Sequence, residues 1–547
     1  MAQAPNRSWR DAPELVFGLT RAIGTDLSTA CSTLSSCLSE ARFEVTRLKL
    51  SELLKEPEFL RPILKDSPEY LRYVTHMDAG DVLRGATKHG HAVALLGVRE
   101  LRGRRRALVE RGPAPAEGQQ PFRGRAFLIE SLMHPAELRA LRAIYGSQFF
   151  SVAVFSTWEE RFKRLTERLS RSGRRQRHEL EPRAVELMNR DMGLGPTAGS
   201  LSRRLHLNVS ATFEKADLFV ASNAPEDSRE AVRRFVGLVF GNPFHTPTRD
   251  EYGMAIAYAT SSHSASLSRR VGACIASTEG DILATGTNEV PKAGGGLYWP
   301  GDSPDKRDFQ LGYDTSDRFR LDMLRDAVTR MVRALEASDT DQEKLLSSLE
   351  MREAQLLDVG EFGRAVHAEM DALSAAARRG VSVRGATLYC TTFPCHVCAR
   401  HIVAAGIARV VYIEAYPKSR VPQLHGDSIG LADRASHTGS LVRFEPFLGI
   451  APRRFGDVFS WVDRKKDDVN PTRDSWMSGE VVDWTLGAGV MRETVVESRG
   501  LQSGIRSKAV RCIETRAFLQ PFDRQLGDPN LAEAAVRIKS EIAARGR

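Results

Sequence analysis

Two short segments most constrain how this chain can fold: His367-Ala368-Glu369 and Pro394-Cys395-His396-Val397-Cys398. One imidazole and two thiols form a ligand set suited to zinc. They meet on one ion only if the fold brings the two segments together. The surrounding pattern predicts a helix from Ala365 to Arg379 stopped by Gly380, and a strand from Ala386 to Phe393. A helix from Cys395 to Ala405 follows, stopped by Gly406, and then a strand from Arg409 to Glu414. His367 and Cys395 then stand at helix N-termini, where partial positive charge favours thiolate over thiol. One helical turn puts Cys395 and Cys398 on one face. Three protein ligands leave the fourth tetrahedral position for water, the arrangement of a catalytic zinc. Glu369 stands near the ion without being needed as a ligand, where it can take and return a proton.

The two segments together fit the H-x-E…P-C-x-x-C signature of zinc nucleobase deaminases. In that chemistry Glu369 moves protons while ammonia is displaced from the ring by water. Either segment alone would carry little. A lone C-x-x-C is often a structural zinc half-site or a redox pair, and a lone His-Ala-Glu is usually a solvated helix start. His396, His401 and His425 read as capping or structural residues, and Cys390 as a small apolar residue in a strand.

Residues from about 249 to 417 resemble the dCMP deaminase branch of the cytidine deaminase-like superfamily. The resemblance rests on Ser268-Arg-Arg-Val-Gly-Ala273, Gly286-Thr-Asn288-Glu-Val-Pro291, His367-Ala-Glu-Met-Asp-Ala372 and Thr387-Leu-Tyr-Cys-Thr-Thr-Phe-Pro-Cys-His-Val-Cys-Ala399. It implies that Asn288 contacts the substrate sugar and base. The related tRNA adenosine deaminases usually carry Asp-Pro-Thr before His-Ala-Glu. Here Arg364-Ala-Val366 stands there, which favours cytosine in a free nucleotide.

The first half alternates strands and helices, which implies a parallel sheet covered on both faces. The expected strands are Glu14 to Leu19, Phe43 to Leu50, Arg125 to Ile129, Phe149 to Phe155 and Ala216 to Ala221, with helices from Leu27 to Ala41, Pro135 to Tyr145 and Trp158 to about Ser170. The glycine loop after the first strand is a degenerate P-loop. Five residues separate Gly18 from Gly24 instead of four, and Thr25-Asp26 replaces Lys-Ser/Thr. We expect Gly18, Gly24, Thr25 and Asp26 to border a nucleotide without kinase activity. Asp217, near the late strand, is a candidate Mg²⁺ residue or simply a solvated acid.

The expected fold class is α/β: an N-terminal P-loop-like parallel-sheet α/β domain, then a cytidine deaminase-like α/β/α domain with a mixed sheet. Residues 14–240 form the first, a nucleotide-binding or regulatory domain. Residues 249–450 form the second, with an insertion at about 291–362, and 451–547 are a C-terminal extension of unassigned role. The boundary is marked by Gly241-Asn-Pro-Phe-His-Thr-Pro247.

The whole chain resembles bacterial anti-phage deoxycytidine nucleotide deaminases. Phe17 to Asp26, Thr246 to Glu251, Gly294 to Trp299 and Tyr416 to Ser419 carry that likeness. It implies Zn²⁺ as cofactor and conversion of dCTP and dCMP to their uracil forms, depleting the pool a phage needs. A regulatory nucleotide at the N-terminal domain and an inhibitory RNA or protein are expected partners, and we expect a homo-oligomer. A housekeeping dCMP deaminase supplying dUMP, or a nucleic-acid cytosine or adenosine deaminase, are the alternatives.

Net charge is +9 over 547 residues, too mild to choose among phosphate-bearing partners. Basic runs at Arg99 to Arg106 and Arg171 to Arg177 lack interleaved aromatics, so solvated faces are the better reading than a nucleic-acid groove. Seven sparse cysteines argue against a disulfide framework. Met1 to Pro13 lacks a signal-peptide core and no apolar run is long enough to span a bilayer, so a cytoplasmic protein without membrane association is expected.

Overall fold

The computed structural model describes residues 14–111, 124–171, 177–193, 203–240, 242, 244–336, 338–348, 351, 362–416, 419–431, 441–459 and 518–545. The chain divides into two compact units. One comprises Met1–Pro247 with Leu448–Arg547, and the other Thr248–Phe447. Each holds one mixed sheet between helices.

In the first unit, β1 (Leu15–Arg21), β2 (Glu44–Lys49), β3 (Arg125–Glu130), β4 (Phe149–Phe155) and β5 (Leu218–Ala221) pair in parallel, in the order β5-β4-β1-β3-β2. Successive residues of β1 point to opposite faces. Val16 joins Phe127, Ile129 and Phe149 in one core, beneath Leu95, Leu138 and Leu141. Leu15, Phe17 and Leu19 join Phe150 and Val152 in the other, beneath Leu34, Leu38 and Phe235. Both faces are dry, as a parallel sheet requires. Gly18 lies inside β1, not in the loop after it: a Cβ there would come within 2.5 Å of Leu132 Cδ1 and 2.9 Å of Phe149 Cζ. The strand runs on through Thr20 and Arg21 because its apolar face is continuous with the core.

The chain beyond residue 447 does not trail away from this unit. Strand β12 (Gly449–Ile450) pairs antiparallel with the β5 edge. The helix Pro452–Phe459 follows, and Arg454 donates to the Phe149 carbonyl (2.7 Å) and pairs with Asp217 (3.3 Å). Leu519, the cap of helix Gln520–Leu526, with Phe522 of that helix and Ala535 and Ile538 of helix Pro529–Arg545, completes the first core. Asp217 is fully buried. It accepts from Ser151 N and Ser151 Oγ (both 2.8 Å) and pairs with Arg142 (3.0 Å). It precedes β5, whereas ligands of such sheets gather at the carboxyl ends of strands. Its carboxylate is a structural anchor, not a metal ligand. Asp217→Ala would leave three arginines, Arg142, Arg453 and Arg454, without their shared counter-charge and should cost about 3–5 kcal/mol. Thermal unfolding would read this directly, and Asp217→Asn, which keeps the Ser151 bonds, should cost clearly less.

The second unit is built on β6 (Gly272–Ala276), β7 (Ile282–Thr287), β8 (Thr387–Thr392), β9 (Arg409–Glu414), β10 (Ile429–Leu431) and β11 (Val442–Pro446), in the order β10-β11-β9-β8-β6-β7. The β6–β7 hairpin and the β6–β8 pair are antiparallel and the rest parallel. Helix Arg249–Ser261 opens with a capping box between Thr248 and Glu251. Asp250 then ties it to the sheet, accepting from Tyr389 Oη (2.9 Å) and from Arg409 Nη1 (2.7 Å) and Nη2 (2.8 Å). Insertion residues between β7 and β8 form helices Asp308–Leu311, Thr315–Ala334 and Asp339–Ser347. Among the described residues, no helix is long and apolar enough to cross a membrane.

Candidate metal centre and active site

The centre forms where two helices start on the sheet of the second unit. Helix Ala368–Arg378 turns Ala368, Ala372 and Ala376 toward the sheet, one residue per turn. Only small residues fit, because β7 meets this helix backbone to backbone at Gly286. A Cβ on Gly286 would stand 2.3 Å from both the Ala368 carbonyl oxygen and the Ala372 amide nitrogen. Beside it, the Thr287 amide donates to Asp371 Oδ2 (3.1 Å), and Val366 N donates to the Glu289 carbonyl (3.1 Å). The helix start is thus stitched to the segment 286–289. Gly286→Ala should push the helix off the sheet, at roughly 1–3 kcal/mol, and lower turnover more than stability predicts, because His367 and Glu369 ride on that helix. A variant with wild-type melting temperature and wild-type turnover would contradict this packing.

His367 is the N-cap of this helix and Cys395 the N-cap of helix His396–Ala404. Cys395 Sγ accepts from the Cys398 amide (3.4 Å). His367 Nδ1 lies 3.4 Å from Cys395 Sγ and 3.3 Å from Cys398 Sγ. All three ligand atoms lie within 4.8 Å of one another. Nitrogen and sulfur ligands of one tetrahedral zinc are about 3.6 Å apart, given Zn–N of 2.0–2.1 Å and Zn–S of 2.3 Å. The donor set therefore fits zinc in both chemistry and spacing. His367 is exposed, Cys395 half-buried and Cys398 buried, so the site faces solvent on its histidine side.

The electrostatics favour metal binding. The hydrogen bond from Cys398, with help from His367, pulls the Cys395 thiol down to about 4. The same contact raises Cys398, so one thiolate is stabilised by its neighbour's proton. The hydrogen bond with Cys395 lifts His367 to about 9. Glu369 is 4% exposed, and burial raises its carboxyl against the opposing pull of His367. It stands within hydrogen-bonding reach of Cys398.

Behind the cysteines, His425 Nε2 contacts the His396 carbonyl (3.1 Å) and Ser419 Oγ donates to the Pro394 carbonyl (3.0 Å). His425 therefore buttresses the cysteine helix. Asn288 commits both ends of its amide to backbone. Its Oδ1 accepts from Val271 N and its Nδ2 donates to the Arg269 carbonyl, both at 2.7 Å. It closes the 269–271 turn next to the 286–289 segment. Sequence reasoning missed Asp371 as a support of the site. The available signal was an acid one turn beyond His367 on the alanine-lined face.

The glycine loop of the first unit is arranged differently from a phosphate cradle of backbone amides alone. Gly24 adopts φ +86° and lies so close to helix Trp158–Arg171 that a Cβ would meet the Arg161 carbonyl at 2.5 Å. Asp26 stands just before Leu27, the N-cap of helix Ser28–Glu40, and accepts from Ser28 N (3.0 Å) and Ser28 Oγ (2.7 Å). Burial raises its carboxyl, but these bonds outweigh burial, Arg164 and Arg168 adding to them, and the net shift is downward. Thr25 is buried, its Oγ1 without a partner among the described residues, and the Arg21 guanidinium donates to the Thr25 carbonyl. Of the basic runs, Arg104 pairs with Glu100 and Arg105 with Glu14, while Arg174 and Arg175 lie outside the described residues.

Residues 247–414 match the family model described as the cytidine and deoxycytidylate deaminase zinc-binding region. The deoxycytidylate deaminase of Enterobacteria phage T4 is 30% identical over 167 residues, which are 30% of this chain and 78% of the phage protein. That of Saccharomyces cerevisiae is 29% identical over 174 residues, 32% of this chain and 40% of the yeast protein. A solved structure of the dCMP deaminase from cyanophage S-TIM5, in complex with dCMP and dUMP, is 20% identical, with 37% of this chain and 99% of that chain covered at a TM-score of 0.22. With its ligand triad assembled and the phage T4 enzyme matched over most of its length, the chain belongs to the cytidine and deoxycytidylate deaminase family, and its cofactor is zinc.

Proposed function

We propose that the protein hydrolyses the exocyclic amine of free deoxycytidine nucleotides, converting dCMP and dCTP to dUMP and dUTP with release of ammonia. The observation that carries this reading is the His367–Cys395–Cys398 triad with the buried acid Glu369 on the same helix turn as the histidine. Zinc bound there supplies a Lewis acid that activates water at neutral pH. Glu369 would take one proton of that water and pass it to the ring nitrogen, then take the second from the hydroxyl added at the ring carbon and give it to the departing amine, so that the carbonyl forms as ammonia leaves. Its burial suits the task, since a raised carboxyl pKa holds a proton well enough to deliver it. One water adds at C4, one ammonia leaves, and no redox partner is needed. Asn288 is assigned to the substrate sugar: its neighbour Glu289 is bonded to Val366 at the start of the His367 helix, and Oδ1 keeps a second lone pair for a hydroxyl. Support for a free nucleotide over a polynucleotide comes from the matched deoxycytidylate deaminases and from the arginine run, of which Arg99, Arg102, Arg104 and Arg105 are in ion pairs.

Incubating the purified protein with dCMP, dCDP, dCTP and single-stranded oligonucleotides tests this. Equimolar uracil nucleotide and ammonia from the free nucleotides is the expected result. Turnover of the oligonucleotides alone would overturn it.

A second reading concerns the first unit. Three guanidiniums, Arg21, Arg164 and Arg168, gather around the loop at the carboxyl end of β1, where Arg164 also donates to Ser222 Oγ (3.2 Å). They supply the positive charge that a P-loop lysine would bring. This supports a regulatory nucleotide held by its phosphates without transfer of a phosphoryl group. Such control would suit an antiviral deaminase that is released on infection and drains dCTP. Infected cells carrying wild type or Glu369→Ala should then differ in dCTP and phage yield. Equal values would favour a housekeeping dCMP deaminase.

A further inference from the structure

Far from the zinc ligands in sequence, the first unit contains a cleft of about 980 Å³. Its walls are the Pro57–Phe59 turn, helix Ala92–Arg111 and the two C-terminal helices Gln520–Leu526 and Pro529–Arg545. The volume lies at the upper end of the roughly 300–1,000 Å³ typical of small-molecule sites. Arg99, Arg102 and Arg106 line it, spaced so that they share one face of their helix. Gly103 sits among them, and among the described residues a Cβ there would meet nothing within 4 Å, so the floor between the guanidiniums admits a ligand.

The arginine run is divided by what each member touches. Arg104 is bonded to Glu100 (2.6 Å), and Arg105, 6% exposed, is bonded to Glu14 (3.1 Å). These two hold the fold together. Arg99 and Arg102 instead face one carboxylate, Asp523, at 3.8 and 3.7 Å. Charge-assisted hydrogen bonds are about 2.7–2.9 Å long. Each guanidinium has five donors, so both retain most of theirs. Glu58 and Asp528 also line the cleft. The three cations stand on one helix face, while the acids are distributed over the opposing elements.

We infer that this cleft binds a multiply charged phosphate ligand of nucleotide size, held by Arg102 and Arg106 across Gly103 and by Arg99, with Asp523 as the built-in competitor. A planar guanidinium matches two phosphate oxygens at once, and the three stand together on one wall, whereas the carboxylates of Glu58, Asp523 and Asp528 are spread over the opposing elements and, among the described residues, only Asp523 of these pairs with any of them, at 3.7–3.8 Å. A nucleoside triphosphate and inorganic polyphosphate share this chemistry. The site is independent of the deaminase reading, because none of its residues lies in the catalytic unit.

Calorimetric titration of the full-length protein with tripolyphosphate and, separately, with ATP tests the inference. Arg102→Ala combined with Arg106→Ala should weaken one binding event by at least about tenfold, as expected for the loss of two charge-assisted contacts. Gly103→Trp should abolish the same event by filling the cleft. Asp523→Asn should strengthen it several-fold, the opposite sign from that of a residue needed only for folding. ATP binding tighter than tripolyphosphate assigns a nucleotide, and equal affinity assigns the polyphosphate chain. Anion sites elsewhere persist unchanged in all three variants. Isotherms untouched by the arginine and Gly103 changes, or Asp523→Asn weakening binding, would overturn the assignment.

Discussion

Glu369→Ala should retain a full equivalent of zinc, fold normally, and lose turnover by about 10²–10⁴-fold, the usual contribution of a positioned general acid–base. The metal ligands are elsewhere, on His367 and the cysteines, so the alanine removes none of them. The fold should tolerate the change because burial already penalises this carboxylate, and removing it relieves that penalty. The loss should fall on kcat, since proton transfer occurs in the chemical step and not in binding. Glu369→Gln should be similarly inactive, because an amide holds the same space but cannot ferry a proton. Metal content and steady-state kinetics on the same preparation decide the matter. A zinc-free Glu369→Ala protein would make this residue a ligand, and near-wild-type kcat would remove it from the mechanism.

Cys395→Ser should lose both metal and activity while leaving its helix intact. The residue does two things at once. Its sulfur is part of the ligand triad, and it also accepts the Cys398 amide as the helix N-cap. Serine is among the best N-cap residues, so the hydroxyl keeps the second role. It is a poor replacement for a thiolate that its surroundings already hold at about 4. Zinc stoichiometry should fall well below one and turnover to background, with circular dichroism little changed. Cys398→Ser offers a contrast, because that position is buried within the helix and not at its cap. Full zinc occupancy in Cys395→Ser would rule out the assigned triad.

The metal centre was legible because each half of it is local. A cap residue, a helical turn and a glycine stop are written into a few neighbouring residues, and only the strand between the halves had to be inferred. The helix Pro135–Tyr145 and the strands Phe149–Phe155 and Arg409–Glu414 were legible for the same reason, with sharp turn signals at their ends. What depends on distant partners was not. Gly18 reads as a loop glycine in isolation, and only the contact with Leu132 and Phe149 makes it a strand residue. The backbone bonds of Asn288 to Val271 and Arg269 likewise join segments distant in sequence. Helix Ala92–Arg111 escaped notice because its arginine-rich half obscures the apolar period of Leu95, Leu96, Val98 and Leu101. Strand β12 is two residues long and its partner lies more than two hundred residues earlier, a pairing no local pattern can announce.

The catalytic unit is spliced into the middle of another fold, so one polypeptide enters it near Pro247 and leaves it near Leu448. A protease that cuts only the entering connection therefore produces two fragments that need not part. The later fragment carries the catalytic residues and also the β12 edge, the Arg454 clasp on Asp217 and the helices that seal the first core. Such a nicked protein should migrate as one species under native conditions and separate only in denaturant. Its two pieces, expressed as separate genes, are candidates for reassembly in the cell.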